Sequence, residues 1–421
     1  MPRMGHTLSL LLRSAAVIGV LAATPAMAEP TVEVLHFWTS GGESRAVNVL
    51  RQDFEKAGGK WIDAPVAGGG GDAASTVLRS RVLAGDAPNA VQLKGPSIKE
   101  WAEQGVLAPL DSVAKAENWD QLVPPQLQQV IKSDGHYVAV PVNIHRVNWL
   151  WSNPAALAKV GAQPPKTWEE FNAVATKLKA AGIVPLAHGG QPWQDATIFE
   201  TVVLGLGGSE FYKKALVDLD EKALTSDTMV KVFDQMRTIR GFVDNGFSNR
   251  EWNLATAMVM KGDAAMQIMG DWAKGELVAA GKVPGKDVLC TTTPGSDGFL
   301  LNSDSFVMFT AKDKDRTAGQ MLLAKLMLGE KFQHEFNLTK GSIPARMTLP
   351  MDGFDACAQK SSQDLKQAIG AKTLMPSMAH EMAVPGSVRG AFLDVVTAHF
   401  NSDMSSKDAV KRLAEAVTLA R

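Results

Sequence analysis

The chain carries ten tryptophans and sixteen phenylalanines but only two tyrosines. A flat indole suits the apolar face of a pyranose ring, whose C–H groups pack on it while the hydroxyls point outward. Each hydroxyl both donates and accepts, so such a site needs charged and amide groups around its rim. Trp38 ends the run TVEVLHFW and is followed by Thr39-Ser40-Gly41-Gly42-Glu43. Ligands of open α/β sheets sit outside the carboxyl ends of strands, which directs Trp38 and Glu43 towards a cleft. Lys94 follows the apolar run Ala90-Val91-Gln92-Leu93 in the same way. Asp304 precedes Phe306 to Thr310, Lys340 precedes Gly341-Ser342-Ile343-Pro344, and His380 sits in a loop flanked by Pro376 and Pro385. Each has a plainer reading: core indole, solvated helix start, exposed loop lysine, turn residue, helix-end cation and surface histidine.

The elements that must position these residues alternate. Strands are expected at Thr31 to Trp38, Trp61 to Val66 and Ala90 to Leu93. Helices are expected at Glu43 to Ala57, Asp72 to Ala84 and Pro96 to Gln104. Such alternation predicts an α/β lobe with a mostly parallel sheet. The chain then runs extended through Tyr137 to Pro141 and on as one strand from about Val142 to Trp151. Thr167 and Glu170 have capping-box spacing at the start of a helix reaching Ala181. Helical periodicity dominates Thr197 to Val283, with breaks at Gly205 to Ser209 and near Phe242 to Trp252. A short strand is expected at Phe306 to Thr310. Helices follow at Thr317 to Leu328, at Glu330 to Thr339 and from Ser361 onward.

Residues 1–28 read as an export signal. Arg3 and Arg13 head a short apolar run, Ala15 to Ala23, and Ala26-Met27-Ala28 supplies the small residues before a cut. The apolar run is too short for a stable membrane anchor. Removing the two arginines from a formal net charge of -1 leaves about -3, no footprint for nucleic acid. A mature length of roughly 390 residues exceeds one core and predicts two lobes. Cys290 and Cys357 are the only cysteines, and an exported chain favours joining them in one disulfide over leaving two buried thiols.

Several chemistries find no support. Two cysteines fall short of a structural zinc site, and no His-x-x-x-His pair occurs. No Gly-x-Ser-x-Gly turn marks a nucleophile. The run AGGGGDAAST lacks the Gly-Lys-Ser/Thr ending of a phosphate loop and reads as a flexible turn before a helix. No cofactor is implied.

Three stretches together carry a family likeness: VEVLHFWTSGGES, then Pro164-Pro165-Lys166-Thr167-Trp168-Glu169-Glu170-Phe171, then AMVMKGDAAM followed by Gly270-Asp271-Trp272. In these the chain resembles the family-1 solute-binding proteins of ABC sugar importers, in particular the periplasmic glucose-binding proteins of pseudomonads. The resemblance implies an α/β, two-lobed periplasmic binding protein fold, each lobe a sheet flanked by helices, with a ligand cleft at the hinge. Residues 29–140 plus about 300–345 would form one lobe, and residues 141–299 plus about 346–421 the other. It implies that Trp38 and Trp272 stack on the sugar from the two lobes. Glu43, Lys94, Asp304, Lys340 and His380 would contact its hydroxyls. His145 stands where maltose binders place a carboxylate, a departure from the pattern. Trp193 matches an aromatic that contacts longer sugars.

The function expected is therefore a monomeric periplasmic carrier. It would close on a monosaccharide, most simply glucose, and hand it to the membrane permease subunits of an ABC importer, without being an enzyme or membrane-embedded itself. Mannose or a glucose-containing disaccharide are the alternative ligands. A secreted glycoside hydrolase using Glu43 and Asp304 is the alternative of another class.

Overall fold

A computed structural model describes residues 29–421; the expected export signal, residues 1–28, lies outside them. The run Thr31–His36 pairs in parallel with Lys60–Pro65 and Ala90–Leu93, as the alternating pattern predicts. Ser305–Met308 and Ala139–Pro141 join antiparallel and complete a five-stranded sheet. Helices Gly41–Lys56, Asp72–Leu83 and Pro96–Glu103 alternate with its strands. A second sheet has four strands, in the order Leu289–Thr292, Trp149–Ser152, Ala264–Ile268, Val184–Leu186.

Each sheet has its own apolar core. One gathers Val34, Leu50, Phe54, Val91, Phe306 and Phe336; the other gathers Trp151, Phe171, Phe199, Phe233 and Phe392. A three-stranded sheet of Leu374–Pro376, Phe299–Asn302 and His145–Arg146 joins them. Leu300 and Leu301 are neighbours in this sheet, yet Leu300 packs in one core and Leu301 in the other. The strand is thus shared between the lobes, and residues beside it face the space between them.

Several stretches depart from the sequence reading. The tail expected to be helical from Ser361 holds the strand Leu374–Pro376, and the helices Asp111–Ala116, Trp119–Leu122 and Pro125–Ile131 lie where no element was expected. The single strand expected from about Val142 to Trp151 is two, His145–Arg146 and Trp149–Ser152. Asn148 interrupts it: its Oδ1 accepts from the Leu300 amide and its Nδ2 donates to the Gly298 carbonyl, bonds that replace a ladder pairing. Within the expected helical region Thr197 to Val283, Ala264–Ile268 is a fully buried strand. A short continuous apolar run does not distinguish strand from helix by its period. The expected break at Gly205 to Ser209 is a kink at Gly208, φ 75°, inside the helix Pro192–Tyr212.

Cys290 and Cys357 are bonded, with Cα atoms 6.1 Å apart. The bond fastens the strand Leu289–Thr292 to the first turn of the helix Ala356–Ala371. That helix also sends Ala358, Leu365 and Ala368 into the core of the opposite lobe.

Candidate functional site

Local sequence sets up each wall of the cleft. Ser40 caps the helix Gly41–Lys56 by accepting from the Glu43 amide, and Glu43 Oε2 accepts in return from the Ser40 amide, a reciprocal capping box. This fixes Glu43 just beyond the strand that carries Trp38. The Trp38 indole packs against Phe306 and Phe336, with ring centroids 5.7 and 5.4 Å away. Lys340 ends its helix, Glu330–Lys340. Its ammonium lies 5.6 Å from the Trp38 ring centre and donates to Glu43 Oε1 at 3.3 Å.

Lys94 reaches back to donate to the Gly70 carbonyl at 2.8 Å. Gly68 to Gly71 all adopt positive φ, and a Cβ on Gly70 would lie 3.0 Å from the Trp193 ring. The glycine run is therefore a surface on which Trp193 rests, rather than a flexible turn alone. Trp272 folds back over Gly270, where a Cβ would meet the indole at 2.2 Å. That contact is a physical reason for the Gly-x-Trp spacing. The rings of Trp272, His380 and Trp193 form an edge-to-face cluster. His380 lies 4.9 Å from Trp272 and 5.8 Å from Trp193.

Behind these walls runs a buried chain of charge. The His145 Nδ1 bonds Asp271 and its Nε2 lies 3.2 Å from Asp304. Asp304 also accepts from Gln92 at 2.9 Å and from Asn143 at 2.8 Å. Burial works against the charge of His145, but the flanking Asp271 and Asp304 outweigh it and raise its pKa, so the ring bridges two carboxylates as a cation. Burial would raise the pKa of Asp304. The bonds and charge of His145, with Lys340 and Lys94 beyond, instead hold it well below the usual carboxylate range. His380 has no carboxylate bonded to it. Burial, then the charges of Lys94 and Arg389, push its pKa well down, and the ring is neutral. Its Nε2 meets Thr197 Oγ1 at 3.0 Å.

The structure brings all nine sequence-derived side chains to one cleft: Trp38, Glu43, Lys94, His145, Trp193, Trp272, Asp304, Lys340 and His380. Phe37, Gly70, Trp252 and Asn302 also line it. The sequence reading missed them. Trp252 falls at the edge of an expected break and Asn302 two residues before Asp304. Asn302 is buried and its Oδ1 has no partner among the described residues. Cations and anions are balanced: Lys94, Lys340 and His145 face Glu43, Asp304 and, behind His145, Asp271. Such a site suits a neutral, hydroxyl-rich ligand with an apolar face.

Bonds also cross from lobe to lobe. The Gly42 amide donates to Glu276 at 2.7 Å, and Arg389 donates to Asp72 at 2.6 Å. Among the described residues no cluster of three His, Cys, Asp or Glu side chains is placed to hold a metal, and no helix is long and apolar enough to cross a membrane.

Residues 40–328 match the family of bacterial extracellular solute-binding proteins. The chain belongs to that family. It is 52% identical over 404 residues to a probable sugar-binding periplasmic protein of Brucella melitensis, covering 96% of each chain. A protein of the same description from Rhizobium meliloti is 52% identical over 403 residues, covering 96% of this chain and 97% of the other. Among solved structures the bacterial solute receptor AcbH, described as having an exclusive preference for β-D-galactopyranose, superposes with a TM-score of 0.77 at 18% identity. That match covers 93% of this chain and all of AcbH, and establishes the two-lobed fold.

Proposed function

We propose that this solute-binding protein is the periplasmic sugar-binding component of an ABC importer and that its ligand is a monosaccharide, glucose. The observation that carries the reading is the cleft where side chains of both lobes meet. It has indoles on both sides and balanced charges at hydrogen-bonding positions. The periplasmic setting is that of the relatives at 52% identity, which are described as sugar-binding. Trp38 and Trp272 supply apolar faces from the two lobes. Lys94, Lys340, Glu43, Asp304 and the unpartnered Asn302 Oδ1 supply the groups for hydroxyls, by charge-assisted bonds where ionised. Closing the lobes removes water, which strengthens those bonds, and the binding energy offsets the cost of bending the hinge. The closed pair of lobe surfaces is what the permease subunits would recognise. The lobe division expected from the sequence, 29–140 plus about 300–345 against the remainder of the mature chain, is part of the same proposal.

The aromatic walls of the cleft favour a small sugar. Trp193, matched to an aromatic that meets longer sugars, here stands against Trp272 and His380 and narrows the space. The hydrolase reading fares worse. Asp304 is held ionised and cannot supply the proton that one carboxyl of a hydrolytic pair must give. The test is calorimetric titration of glucose into the wild type, Trp272→Ala and Lys94→Ala. Micromolar binding, about -8 kcal/mol, is expected for the wild type, with each variant at least roughly tenfold weaker. Unchanged binding in both variants would remove the cleft from the account.

A further inference from the structure

Glu200 lies on the long helix Pro192–Tyr212, fully buried in the core of the second lobe, and does not line the cleft. Its carboxylate gathers four donors. Oε1 accepts from Ser377 Oγ at 2.6 Å. Oε2 accepts from the Met378 and Ala379 amides at 2.8 and 3.2 Å, and from Tyr212 Oη at 2.8 Å. Three of the four belong to the segment immediately before His380. The Ser377 hydroxyl that donates to Glu200 accepts in turn from the His380 amide at 3.1 Å. Thr197, one turn earlier on the same helix, meets the His380 ring. One helix therefore grips the loop twice, by its backbone at Glu200 and by its imidazole at Thr197.

We propose that Glu200 is a positioning residue for sugar binding: it fixes the turn Ser377-Met378-Ala379 and so sets His380 and the face of Trp272 against which the sugar packs. This rests on the reading of the cleft as a sugar site. A buried carboxylate is a costly way to fill a core, since burial pushes its pKa up to about 7 against the pull of Ser377, Tyr212, Ala379 and Met378. An apolar side chain would pack there without that cost, but it would leave the Ala379 amide and the Ser377 hydroxyl without their acceptor, and the Met378 amide with Tyr212 Oη alone. What the carboxylate supplies is a defined turn geometry, and the one cleft residue on that turn is His380.

The experiment compares glucose affinity in four proteins: wild type, Glu200→Gln, His380→Ala and the double variant. Glu200→Gln is expected to bind roughly tenfold more weakly than wild type. The double variant is expected to match His380→Ala, because the two changes act through one side chain. Equal losses in both backgrounds, or no loss in either, would overturn the proposal. Should Glu200→Gln fail to fold by circular dichroism, Ser377→Ala takes its place in the same cycle with the same expectation. A sugar-free readout separates this proposal from the functional one. The His380 ring resonance in histidine-labelled protein should move between wild type and Glu200→Gln. If wild type binds no glucose, the functional reading fails while that resonance still decides the role of Glu200: movement supports it, and an unmoved resonance sinks it.

Discussion

Asp304 is where the cleft is most tightly determined. Gln92, Asn143 and His145 all converge on one carboxylate that is itself fully buried. Replacing it by asparagine leaves the His145 cation with one carboxylate in place of two. Charge-assisted bonds contribute about 1.5 to 3 kcal/mol each. Asp304→Asn is therefore expected to lower the pKa of His145, read by its ring resonance across a pH titration, and to weaken glucose by at least roughly tenfold. An unmoved titration would show that Asp271 alone holds the charge. Trp38, Glu43 and Lys94 were legible in the sequence because they follow apolar runs, where a cleft must lie, while Trp272, His145 and Trp193 came from the family resemblance alone. What was not legible is how they hold one another. Glu43 proves to be half of a capping box with Ser40, and Lys340 lies beside it across almost three hundred residues of sequence. No local pattern marks Asn143 or Gln92 as the partners of Asp304, since that meeting depends on the hinge bringing distant strands together.

At the scale of elements, period and punctuation carried most of the fold. From Thr31 to Glu103 the strands and helices appear within a residue or two of where alternation and glycine place them, while the short helices between Asp111 and Ile131 carried no period long enough to read. The other failures have a common cause: fully buried strands such as Ala264–Ile268 read as continuous apolar runs, and a side chain such as Asn148 breaks a strand by substituting its own bonds for the ladder. The disulfide belongs to this scale. It closes a separation of 67 residues between a strand of one lobe and a helix that packs into the other core. Chain entropy assigns such a crosslink roughly 4 kcal/mol. The double variant Cys290→Ser, Cys357→Ser should lose about that much in urea unfolding, and dithiothreitol should bring the wild type to the same midpoint. Equal midpoints for the oxidised wild type and the double variant would mean that the crosslink adds no stability.

The whole molecule should show its buried histidines in its stability profile. His380 lies well below its ordinary pKa through burial and the charges of Lys94 and Arg389. Burial, with Arg237 nearby, holds His399 down to about 4. Between about pH 6.5 and 4 the unfolded chain binds a proton at His399 that the folded chain does not, and His380 acts with the same sign, so both rings cost stability as pH falls. His145 acts with the opposite sign. Its pKa is raised on folding, so its contribution is full below 6.5 and is lost as pH rises through the folded value. Glu200, raised to about 7, acts with the sign of His145, so the test is a comparison: urea unfolding at pH 5 and at pH 7 should show His399→Gln losing less stability, or gaining more, towards pH 5 than the wild type. The same pH dependence in both proteins would contradict the burial of His399 in the neutral form.

The central claim, a carrier that closes on one neutral monosaccharide, is tested most directly by calorimetric titration of the mature protein with glucose, mannose, galactose and maltose in parallel. The account predicts micromolar binding of glucose at one site per chain and weaker binding of the other three. Binding of maltose alone, or of no sugar below the millimolar range, would contradict it.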